Sequence, residues 1–159
     1  MKKLVKIVSA ALIAVAVPNA AAFAQSQPIT LEGDVKVVKQ VIEEGGETRT
    51  ELVEPDRAVP GDKLIFGTNY TNTGSVAVDD FVMTNPLPKA VRLAPEADPA
   101  LVVSVDGGNT WGLLSELVVA LAEGGSRAAV HSDVTHIRWT LDRVEPGETG
   151  RLEYPAIIR

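Results

Sequence analysis

The sequence predicts an all-β fold, an immunoglobulin-like antiparallel β-sandwich of about seven to nine strands. Two observations predict it. Apolar residues recur at every second position in several short segments, and Gly, Pro, Asn and Asp clusters separate those segments at roughly 8–12-residue spacing.

The first strand pattern covers residues 31–41, where Leu31, Val35, Val37 and Val41 share one parity. Residues 44–47, Glu-Gly-Gly-Glu, form a turn signal, and residues 48–54 are expected to return antiparallel. Residues 55–61 break the pattern. Leu64, Phe66, Thr68 and Tyr70 then fall on one face, the period of a half-buried strand. Thr73-Gly74-Ser75 turns the chain into residues 76–84, with Phe81 and Met83 on one side, and Pro86 and Pro88 stop it because proline cannot donate to a ladder. A strand over 101–105 meets the turn Asp106-Gly107-Gly108. Residues 113–122 fit either a short amphipathic helix or a strand, and the β-rich surroundings favour strand. Ile137, Trp139 and Leu141 alternate with Arg138 and Thr140. Pro146-Gly147 turns into a last strand that places Leu152, Tyr154, Ala156 and Ile158 on one side. Pro155 predicts an edge position or a bulge there.

The N-terminus carries Lys2, Lys3 and Lys6, an apolar run over residues 7–17, and Ala22-Phe23-Ala24 before Gln25. This is the layout of a cleaved secretory signal peptide, residues 1–24, and the run is well short of the roughly 20 apolar residues of a membrane span. The expectation is an exported protein, periplasmic or extracellular, not inserted in the membrane. Residues 25–159, about 135 in number, suit a single domain. The whole chain has 15 basic and 21 acidic residues, a net charge of −6, and no cysteine. Without the three leader lysines the charge is about −9, which disfavours nucleic acid because phosphate contacts need Lys and Arg. The lack of thiols removes disulfides, thiol catalysis and thiolate metal sites.

Four turn features occur in order: Pro60-Gly61-Asp62, the aromatic strand from Phe66 into Asn72-Thr73-Gly74, Leu87-Pro88, and Pro146-Gly147. On these, residues 59–158 resemble the bacterial conserved-repeat domain of unknown function number eleven, an immunoglobulin-like surface module often found in tandem. Asn85 stands where that family usually has aspartate, a long insert separates Pro88 from Val134, and there is one copy. The resemblance implies an interaction or structural role rather than catalysis.

Ser104, Asp106, Gly108, Thr110 and Trp111 match Ser-x-Asp-x-Gly-x-Thr-Trp, a spelling similar to the Asp-box of sialidases and other β-propellers. Its chemistry is that of a hairpin: aspartate accepts turn amides, glycine supplies a positive φ, and tryptophan packs beneath the loop. A structural role is expected. A propeller is excluded by length, since it needs several blades of about 40–50 residues.

No catalytic residue, metal ligand or cofactor is expected. Residue 117, where an EF-hand starting at Asp106 needs a bidentate Glu, is Leu. Asp79, Asp80 and Asp133 are the acids considered for calcium and are expected to be solvated. His131 and His136 are expected on opposite sides of one strand, which prevents joint ligation. Trp111, Trp139, Phe66 and Tyr70 are expected in the core. An isopeptide bond between Lys36 or Lys63 and Asn69, Asn72 or Asn85 is disfavoured, because Asn-Thr-Gly is a turn signal. The functional expectation is an exported, non-enzymatic module of the envelope or cell surface that meets a protein or envelope component. A small carbohydrate-binding domain is the alternative.

Overall fold

The computed structural model describes residues 28–43, 45–56 and 59–159. The leader and its cleavage site lie outside them. The described chain is an antiparallel β-sandwich. One sheet has the order β2-β1-β3-β11-β5 and the other β4-β10-β6-β7, with a separate β8-β9 ribbon. The strands are β1 (Ile29–Ile42), β2 (Thr48–Val53), β3 (Lys63–Asn72), β4 (Val78–Pro86), β5 (Val91–Leu93), β6 (Val102–Ser104), β7 (Gly112–Leu113), β8 (Val118–Ala120), β9 (Ser126–Ala128), β10 (His136–Val144) and β11 (Thr149–Ile158). The eleven strands exceed the expected seven to nine because β5 to β9 have only two or three residues each. In the 113–122 segment a 3-10 turn, Leu114–Glu116, precedes the strand β8.

Alternation places the core. Leu64, Tyr154, Ala156 and Val37 from the five-stranded sheet meet Ile137 and Val103 from the other. Phe66 stacks on Tyr154 with ring centroids 5.1 Å apart, and Trp139 crosses from the facing sheet to within 6.1 Å of the same ring. The expected parity of β10 therefore holds: Ile137 is buried, Trp139 packs inward and Thr140 is exposed.

On the outer face of the five-stranded sheet, Arg151 of β11 reaches across β3 to Asp34 of β1 with two parallel N–H bonds of 2.8 Å. It passes directly over Gly67, where any Cβ would collide with the guanidinium. A side chain at position 67 would have to displace the guanidinium from its place over β3.

Pro155 is not in an edge strand, since β11 lies between β3 and β5. Its register partner on β3 is Ile65, and its carbonyl accepts the Ala94 amide on the opposite side. A residue's N and C=O point the same way across an antiparallel ladder. The missing N–H therefore faces the end of β5, where no ladder bond is required.

The Asn-Thr-Gly turn is built around Asn72, which is fully buried. Its Nδ2 donates to the carbonyls of Val76 (3.0 Å) and Val144 (2.9 Å), and its Oδ1 accepts the Gly74 amide at 2.9 Å. Its backbone pairs with Glu148 and Gly147. One side chain thus ties the end of β3 to both flanking turns.

Candidate functional site

All five residues of the Ser-x-Asp-x-Gly-x-Thr-Trp spelling meet in the turn between β6 and β7. Gly107 and Gly108 hold φ of 80° and 92°, which lets the chain reverse without a Cβ penalty. Asp106 Oδ1 accepts the amides of Thr110 (2.9 Å) and Asn109 (3.1 Å) and the Ser104 hydroxyl (2.7 Å). Ser104 Oγ in turn accepts the Gly108 amide at 2.9 Å, and Trp111 Nε1 donates to the Gly108 carbonyl at 2.8 Å. The Thr110 amide, followed by the Ser104 hydroxyl, holds the Asp106 carboxyl far below the usual carboxylate range.

A depressed folded pKa contributes stability that is present above the unfolded value and lost as pH falls. Asp106→Ala is therefore expected to lower the melting temperature at neutral pH with the fold retained. It should also flatten the part of the acid transition that begins below about pH 4. Thermal melts across that range check both, and added calcium or neutral sugars should move neither curve.

Trp111 does not join the core. It lies on the outer face of the four-stranded sheet, the side to which His136 and Arg138 point. The Arg138 guanidinium carbon sits 3.6 Å from the Trp111 ring centroid, and His136 approaches the ring edge-on at 6.2 Å. Of the four aromatics expected in the core, Phe66 and Trp139 pack against it, whereas Tyr70 and Trp111 are not part of the buried cluster, and strand parity does not carry across the hairpin to Trp111. The Arg138–Trp111 contact was missed because Trp111 lies in the β6–β7 turn and Arg138 in β10, far apart in sequence.

The other sequence candidates remain apart. His131 sits in a 3-10 turn, His131–Asp133, and His136 opens β10, so the two do not share a strand. Asp79 pairs with Arg143 at 2.7 Å. Asp133 pairs with Arg127 at 2.6 Å and accepts the Val130 amide, which lowers its pKa. Asp80 is exposed with φ of 52°. Among the described residues no three His, Asp or Glu side chains are grouped to hold a metal. Lys36 and Lys63 are paired with Glu54 and Glu96, and Asn85 and Asn69 with Thr68 and Arg151. A cavity of about 460 Å³ opens beside β5 and β6, lined chiefly by Leu93, Ala97, Leu101, Val103, Leu114 and Ala129.

No protein-family model, curated protein or solved structure matches the chain.

Proposed function

We propose that this chain is an exported, non-enzymatic, immunoglobulin-like module of the bacterial envelope or cell surface that acts by binding a protein or envelope component. The observation that carries this reading is the arm formed by β1 and β2. The pairing of β1 with β3 ends at Val37, yet β1 continues to Ile42 against β2. On one face of that arm Ile42 is 74% and Leu52 53% exposed; Leu52 stands directly opposite Val38, and Ile42 lies further along β1 beyond the Gln40–Thr50 pair. Exposed apolar side chains on one face of a projecting hairpin offer a surface that gains from being covered.

The signal-like leader and the resemblance to surface repeat modules support export and an envelope role. The acidic balance supports a partner other than nucleic acid. The carbohydrate-binding alternative draws on Trp111, but Arg138 already covers a face of that ring and occupies the platform a sugar would stack on.

The compartment is tested by intact-mass analysis of the natively produced protein. A chain beginning at Gln25 in the exported fraction is expected; a soluble cytoplasmic product retaining Met1 would refute export.

A further inference from the structure

Arg138 and Arg92 are the described arginines without an ion pair or side-chain hydrogen bond, and of the two Arg138 has a buried nitrogen left without a partner. Arg49, Arg127, Arg143 and Arg151 are each paired with carboxylates, and Arg159 donates to the carbonyls of Val91 and Ser132. The Arg138 side chain makes no ion pair or hydrogen bond among the described residues, and its Nε is buried without a partner. It is nonetheless held in place by its stack on Trp111, which is itself fixed by the indole bond to Gly108. A chain in acidic excess has many carboxylates with which to neutralise a cation, yet this one is left bare. A guanidinium held over an indole ring has fewer orientations open to its terminal N–H fork, which lowers the ordering cost of bidentate recognition.

We infer that Arg138, presented on Trp111, is a carboxylate anchor for an acidic peptide segment of a partner protein. The surroundings favour a peptide. The register neighbours of β10 on β4, Val82 and Thr84, and Thr140 beside Arg138 are exposed on the same face. Next to Arg138 they form an uncharged stretch of sheet surface on which an extended chain can lie, with the exposed Asp142 at its far end on β10. A single fork suits one carboxylate, whereas a polyphosphate would require several cations to outweigh the net negative charge. This surface is separate from the β1–β2 arm.

The test is an NMR titration of the full-length exported protein, following Arg138 Nε–H and Trp111 Nε1–H. The probes are a blocked glutamate peptide, the matching glutamine peptide and inorganic phosphate, all at one ionic strength. The glutamate peptide alone is expected to shift both resonances saturably. Arg138→Gln and Arg138→Lys should each weaken its apparent affinity about tenfold or more, because the lysine keeps the charge but loses the fork. Arg92→Gln, on the other sheet, should not change it, and retained hydrogen-exchange protection of the Thr110 amide in the unliganded variants shows the hairpin intact. The inference fails if the glutamate peptide gives no saturable shift, if the glutamine peptide or phosphate binds as well, or if Arg138→Gln binds undiminished. Because the arm is not involved, that failure leaves the arm-based reading standing, and loss of arm-dependent capture would leave this site standing.

Discussion

Tyr154→Ala is expected to lower the unfolding free energy by roughly 3–5 kcal/mol, the range for deleting a large aromatic from a packed core. The residue is 2% exposed, and its ring is contacted from both sheets, stacked on Phe66 and met by Trp139. Removing it leaves a void between facing strands rather than at their margin. Urea titration should show a lower midpoint with little change in slope, and Glu153→Ala, one residue away on the exposed face, should change far less. Burial also pushes the Tyr154 hydroxyl up to about 12 from 10.0. A group kept neutral in this way contributes stability below its unfolded pKa that is lost as pH rises through the folded one. Tyr154→Phe should accordingly reduce the loss of stability between those two values. A Tyr154→Ala loss no greater than that of Glu153→Ala would mean that β11 faces the other way.

Asn72→Ala is expected to cost about 3 kcal/mol, since each buried group left without a partner costs roughly 1–3 kcal/mol. The substitution orphans the Val144 and Val76 carbonyls and the Gly74 amide together. Asn72→Asp is the sharper variant. It keeps the shape but replaces the amide donor with a carboxylate facing two carbonyls, so its defect should ease as pH falls and the acid is protonated. Chemical denaturation of both variants at neutral and acidic pH checks this. Equal stability of Asn72→Asp at the two pH values would show that the donor interactions are not what the position requires.

Much of the sandwich was legible because strand faces repeat every two residues. Leu64, Phe66 and Thr68 on β3, Ile137 and Trp139 on β10, and Tyr154 and Ala156 on β11 all fall on the inward parity that the sequence shows. The hairpin turn was legible for a related reason: the Asp106 bonds span at most four residues, so local spelling specifies them. What the sequence did not reveal depends on neighbours brought together by pairing. The place of Trp111 under Arg138 is set by the packing of the β6–β7 hairpin against β10. The tolerance of β11 for Pro155 is set by where β5 stops. The crowding over position 67 comes from Arg151 and Asp34, which reach it from the strands on either side. The reach of the β1–β2 arm beyond β3 likewise depends on register, because alternation is the same in paired and projecting segments.

The central claim is that the module acts by binding through its exposed arm. It is tested most directly by quantitative affinity capture from the native envelope with the wild-type chain and with the Ile42→Asp/Leu52→Asp variant. Both positions are more than half exposed, so the variant should fold with a melting temperature close to the wild type. The account predicts that a defined envelope component is enriched by the wild-type protein and lost from the folded variant. Equal recovery of that component by both proteins, or no specific component with either, would contradict it.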